Sequence, residues 1–152
     1  MNEFTYYCLA SVEDGTGDDL WAWSGNVEKG RHRPLEDTRS WLLRRLQQLL
    51  EGDLVSVGNF EYGDSDRAVW RPWPGDPDSL VERVAAIYTV DVEPDEVQFW
   101  DCYLMRTEHG SELYARERAR RLSAGRDVVP RLRNVWDADG TVIEPLGDEI
   151  VV

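Results

Sequence analysis

Apolar and polar positions fall in blocks along the chain, and the spacing inside each block predicts its element. Phe4-Thr5-Tyr6-Tyr7-Cys8-Leu9-Ala10-Ser11-Val12 is rich in aromatic and β-preferring residues and predicts a strand ending at the polar, glycine-containing run 13–19. Leu20-Trp21-Ala22-Trp23-Ser24 predicts the return strand of a hairpin around that acidic loop, with Trp21 and Trp23 facing one side. Residues 25–34, with Lys29, Arg31, His32 and Arg33, read as a connection. From Leu35 to Glu51 the period lengthens: Leu42, Leu46, Leu49 and Leu50 recur at helical spacing, and Trp41 and Leu43 widen the stripe. Glu36 and Asp37 complement the positive start of this helix, and Gly52 suits the left-handed position past its end.

Leu54 opens a strand running towards Phe60 and Tyr62, with Gly58 predicting a bulge or break. After a turn at 63–66, Ala68-Val69-Trp70-Arg71 predicts a short pairing strand, ended by the proline-rich run 72–77. Asp78 or Ser79 is the expected cap of a second helix with Leu80, Val84 and Ile87 on one face. In the run Val97 to Met105 both alternating sets are largely apolar, which predicts a central strand covered on two faces. Residues 111–122 read as a helix with Ala115, Ala119 and Leu122 inward and Gly125 past the end, after a turn at Glu108-His109-Gly110; a hairpin from Tyr103 to Arg118 is the alternative. Val128-Val129 and Leu132 to Trp136 predict a last hairpin returning to Thr141-Val142-Ile143. The sum is an α+β fold in one domain over 1–145, a mostly antiparallel sheet of five to seven strands packed with two or three helices, followed by an acidic tail at 146–152 that is mobile unless docked.

Composition narrows the class. The 152 residues suffice for one core, and seven Trp, six Tyr and three Phe supply the apolar area that argues against disorder. Cys8 and Cys102 lie far apart in apolar runs and read as buried free thiols. The apolar runs are far short of the roughly 20 residues that cross a membrane, and the acidic start MNEFTYYCLASVED lacks a secretory pattern, so the expected location is cytoplasmic.

A net charge of -13 disfavours nucleic acid and anionic membranes and favours a basic protein partner. The charge is uneven: residues 1–105 carry -12, residues 106–133 carry +4, and residues 134–152 carry -5. The arginines of 106–133 are expected to pair within the molecule, with Glu112–Arg116 and Glu117–Arg121 at the helical i,i+4 spacing.

Chemistry finds little foothold. Two isolated cysteines and two histidines cannot build a structural zinc site, and Asp101, Glu108 and His109 make a poor catalytic metal set, so no metal and no cofactor are predicted. There is no GxSxG elbow, and Gly15-Thr16-Gly17 lacks the lysine of a phosphate loop and sits among acids. Paired carboxylates such as Asp18-Asp19 are unremarkable among thirty acids. An enzyme is therefore the less favoured reading.

Trp41 and Trp100, among apolar neighbours, belong to the core. Trp70-Arg71-Pro72-Trp73 reads instead as an exposed anchor, and Trp70, Arg71 and Trp73 with Asp64, Asp66 and Asp76 are the candidate partner-binding residues. The expected function is a small, acidic, non-enzymatic protein-binding module that neutralises a basic partner in the manner of an immunity protein or antitoxin. The alternatives are a small-molecule binder or enzyme with an aromatic pocket using Asp101, Arg106 and His109, and a nucleic-acid mimic.

Overall fold

In a computed structural model of the chain, the run after Asn2 is helical rather than extended, forming α1 (Glu3–Ser11). The described residues are 1–12, 35–62, 68–87, 102–129, 135–136, 142–144 and 150–152. Helix α1 starts because the Asn2 side chain accepts a hydrogen bond from the Thr5 N–H at 2.8 Å and Glu3 sits in the positive first turn. Phe4, Thr5, Cys8, Leu9 and Val12 then fall on one helical arc, and Tyr6 is buried beside it. Nine residues of weak helix formers do not hold a helix in isolation, so burial on several faces sustains this one.

The second helix, α2 (Leu35–Glu51), matches the leucine periodicity, with Trp41, Leu42, Leu46 and Leu49 buried. At its end the left-handed residue is Asp53, with φ 50°, and not Gly52. Strand β1 (Val55–Tyr62) follows and pairs antiparallel with β2 (Ala68–Pro72). Gly58 makes no bulge: it stands in continuous register opposite Pro72 on one side and Tyr103 on the other. A Cβ there would lie 2.2 Å from the Arg71 carbonyl oxygen, so this glycine serves a close approach of two strands. Helix α3 (Pro77–Ile87) is capped by Asp76, whose carboxylate accepts from the Ser79 N–H at 2.9 Å, and not by Asp78 or Ser79. Its Leu80 and Val84 are buried, and α3 is tied to α2 by an Arg39 Nη2 bond to the Ala85 carbonyl at 2.6 Å.

Strand β3 (Tyr103–Arg106) pairs antiparallel with β1, giving the sheet order β2-β1-β3. The predicted central strand is thus, over its described part, an edge strand. Helix α4 (Glu108–Ser123) begins at Glu108, so the expected turn at Glu108-His109-Gly110 is its first turn, capped by Thr107. Gly125, with φ +65°, closes it: Gly125 N–H bonds to the Leu122 carbonyl and Arg126 N–H to the Arg121 carbonyl. β4 (Val135–Trp136) and β5 (Val142–Glu144) pair antiparallel by themselves, as the last predicted hairpin requires.

Among the described residues there are therefore four helices, a three-stranded antiparallel sheet and a separate two-stranded pair in a single α+β domain. The expected sheet of five to seven strands is not formed. The Phe4–Val12 block went into α1, where helical burial overrode its β-preferring composition, and β4 and β5 do not join β1. The predicted elements at 20–24 and 97–101, with Trp100, lie outside the described residues.

The core lies between one sheet face and the helices. Leu54, Val55, Val57 and Leu104 meet Phe4, Leu9, Trp41, Leu46, Leu49, Leu80 and Val84. Each such side chain contributes about 1.5–3 kcal/mol of transfer free energy. Residues 150–152 dock on α1: Val151 N–H bonds to Thr5 Oγ1 at 2.9 Å, and Asn2 N–H to the Val151 carbonyl at 3.3 Å.

Candidate functional site

Strand alternation separates the residues that the sequence grouped as one anchor. In β2, Trp70 and Pro72 point to one face of the sheet, while Arg71 and the following Trp73 point to the other. Trp73 turns inward: it is buried, its Nε1–H donates to Asn59 Oδ1 at 3.2 Å, and the Arg83 guanidinium lies 3.7 Å from its ring centroid. Trp70 stays half-buried, opposite Phe60, with ring centroids 5.2 Å apart. Tyr103 meets Phe60 from the other neighbouring strand, also at 5.2 Å and edge-on. One face thus carries Trp70, Phe60 and Tyr103 in a row across all three strands, with Tyr62, 74 % exposed, two residues beyond Phe60.

Arg71 pairs with Glu61 at 3.1 Å, both well exposed, a contact of about 0–1 kcal/mol. Asp76 is occupied as the α3 cap, and the Ser79 N–H that it accepts holds its carboxyl below the ordinary aspartate value. Asp64, Asp66 and Asp101 lie outside the described residues. Phe60, Tyr62 and Tyr103 were not singled out in the sequence. Their signal was the i,i+2 spacing of Phe60 and Tyr62, but Tyr103 joins them only through a register that no local pattern announces.

The second group of sequence candidates divides as well. His109 is exposed on the first turn of α4. Arg106, on β3, donates from Nη1 to the Leu9 carbonyl at 3.2 Å, and its guanidinium lies 4.3 Å from the centroid of Tyr114. The inward face of α4 is Gly110, Tyr114, Glu117 and Arg121; Ala115, Ala119 and Leu122, expected inward, are exposed. Two charged residues can take the buried face because they satisfy each other, Arg121 Nε reaching Glu117 at 2.9 Å. Tyr114 stacks on Tyr6 of α1 at 5.3 Å, and Arg121 lies over the Tyr6 ring at 3.9 Å.

The exposed side of α4 and the end of β3 border a groove of about 350 Å³ lined by Arg106, Ser111, Tyr114, Ala115, Arg118, Ala119 and Leu122. No group of three His, Cys, Asp or Glu placed to hold a metal ion occurs among the described residues, and none of their helices is long and apolar enough to cross a membrane. No family model, curated protein or solved structure matches this chain.

Proposed function

We propose that this chain is a non-enzymatic protein-binding module that docks a basic partner on the outer sheet face built by Trp70, Phe60 and Tyr103. The observation carrying this reading is that row of half-buried aromatic rings, spanning β2, β1 and β3 on the side away from the core. Aromatic side chains offer large contact area at low entropic cost and dominate binding hot spots. The net charge of -13 supplies long-range attraction for a basic protein.

The test is purification from the native source at low and at high salt, with the wild-type chain and Trp70→Ala in parallel. A basic protein retained in stoichiometric amount at low salt, released by salt and lost in Trp70→Ala, supports the reading. No stoichiometric partner, or one held equally by the variant, overturns it.

A further inference from the structure

We infer that the groove between the end of β3 and the exposed side of α4 is a binding site for a small organic carboxylate with a short apolar body. This site lies apart from the aromatic sheet face and does not depend on the protein-binding reading.

The groove has the composition that such a ligand needs. Its polar part consists of two guanidiniums, Arg106 and Arg118, and the Ser111 hydroxyl; its apolar part is Ala115, Ala119 and Leu122, about one, two and three helical turns beyond Ser111 along α4. Among the described residues no acid lines it, in a chain where acids outnumber bases by thirty to seventeen. A groove of about 350 Å³ falls at the small end of ligand sites, which fits a ligand of few carbon atoms.

Arg106 is held in place before any ligand arrives. It lies against the Tyr114 ring and bonds through one Nη1 hydrogen to the Leu9 carbonyl, and a guanidinium has five N–H donors, so donors remain for an incoming carboxylate. Arg118 is exposed at the rim, where no ion pair or hydrogen bond to its side chain is found among the described residues. Leu122, 54 % exposed, is the large apolar side chain that such a ligand would cover. Inward burial of Glu117 and Arg121 explains why this apolar stripe faces out: the helix gives its core face to a charge pair and leaves Ala115, Ala119 and Leu122 to the groove.

The experiment is a titration of the isotope-labelled full chain with hexanoate, followed by the backbone amide resonances of 106–122. Hexanamide serves as the uncharged isostere and inorganic phosphate as the anion without an apolar body. Arg118→Glu, a rim substitution with no core contact, is titrated in parallel after its thermal unfolding is matched to wild type. Saturable shifts confined to the groove residues, at least tenfold weaker binding of hexanamide and of phosphate, and at least tenfold loss in Arg118→Glu are expected. Equal binding of phosphate and hexanoate, unsaturable shifts, or an unchanged titration in Arg118→Glu each overturn the site.

Discussion

Glu3, in the first turn of α1, and Arg121, in the last turn of α4, meet at 2.7 Å, with Arg121 almost wholly buried. Glu117 holds the same guanidinium from within α4 and also takes two 2.7 Å bonds from Arg120. The Arg120 hydrogen bond is the largest of the effects that hold the Glu117 carboxyl down to about 2, against burial, with Arg121 adding to it. A carboxylate depressed in the folded state stabilises fully above its unfolded value near 4.5, and this contribution is lost as pH falls from there towards 2. Glu117→Gln is therefore expected to lose about 2 kcal/mol at pH 7, discounted for the solvent around Arg120. Urea unfolding of both proteins from pH 7 to pH 2.5 checks this: the gap between them closes across that acid range.

Gly110 sits where α4 presses on the start of β1, and a Cβ on it would lie 1.9 Å from the Leu54 carbonyl oxygen. The contact is fixed from both sides, by Thr107 N–H bonding to the Leu54 carbonyl and by the Thr107 hydroxyl donating to the Asp53 carbonyl. Since the obstacle is backbone, Gly110→Ala should cost about 3 kcal/mol, at the upper end of overpacking. Gly125→Ala, which meets nothing within 4 Å, should cost only about 1 kcal/mol for its positive φ. Chemical denaturation of the two variants measures the difference.

Cys8 is fully enclosed in α1, and burial pushes its thiol well above the ordinary value, whereas Cys102 is half-buried ahead of β3. Native protein is expected to take up one equivalent of an aromatic disulfide reagent at Cys102, with Cys8 reacting only on unfolding. Mass spectrometry of the labelled peptides decides the assignment.

Trp70 and Trp73 separate stability from binding. Trp73→Ala removes a core ring together with its Asn59 bond and the Arg83 contact, and should cost about 3–5 kcal/mol. Trp70→Ala opens a half-exposed position and should cost about 1 kcal/mol while weakening partner binding at least tenfold. Melting curves and a binding isotherm on the two variants read the two effects independently.

Legibility in the sequence followed the strength of local pattern. Leu42, Leu46 and Leu49 announced α2 because they are buried at helical spacing, and Val55 and Val57 announced the start of β1 by alternating with the half-buried Ser56; β2, with no buried residue, was legible only from its composition between the turn at 63–66 and the prolines. Helix α1 was hidden because Phe4, Tyr6, Cys8 and Leu9 are buried around much of the helix, leaving no polar stripe to show a period. Its start was nonetheless written in Asn2 and Glu3. The inward face of α4 was misjudged because Glu117 and Arg121 belong inside only once Glu3 is beside them, and that proximity is tertiary. The aromatic face needed the pairing of β1 with β3, which no short-range signal encodes.

The Glu3–Arg121 contact also bears on the order in which the molecule assembles. Helix α2, the β1–β2 pair and α3 close through neighbours in the chain, as in the Leu54 to Leu49 and Trp73 to Val57 backbone bonds. Helix α1 is joined to α4 and its flanking residues by contacts across most of the sequence: Glu3 with Arg121 of α4, the Tyr6 hydroxyl with the Val128 carbonyl beyond α4, and Arg106 of β3 with the Leu9 carbonyl. Closing such long loops is entropically costly, so the central unit is expected to form first and the α1–α4 layer to dock after it. The same layer is then expected to open first under native conditions, and amide exchange measured in α1 and α4 should proceed at lower free energy than in α2 and β1. Because the carboxylate groove is bordered by α4, an occupant would slow that exchange, linking ligand capture to the last step of folding.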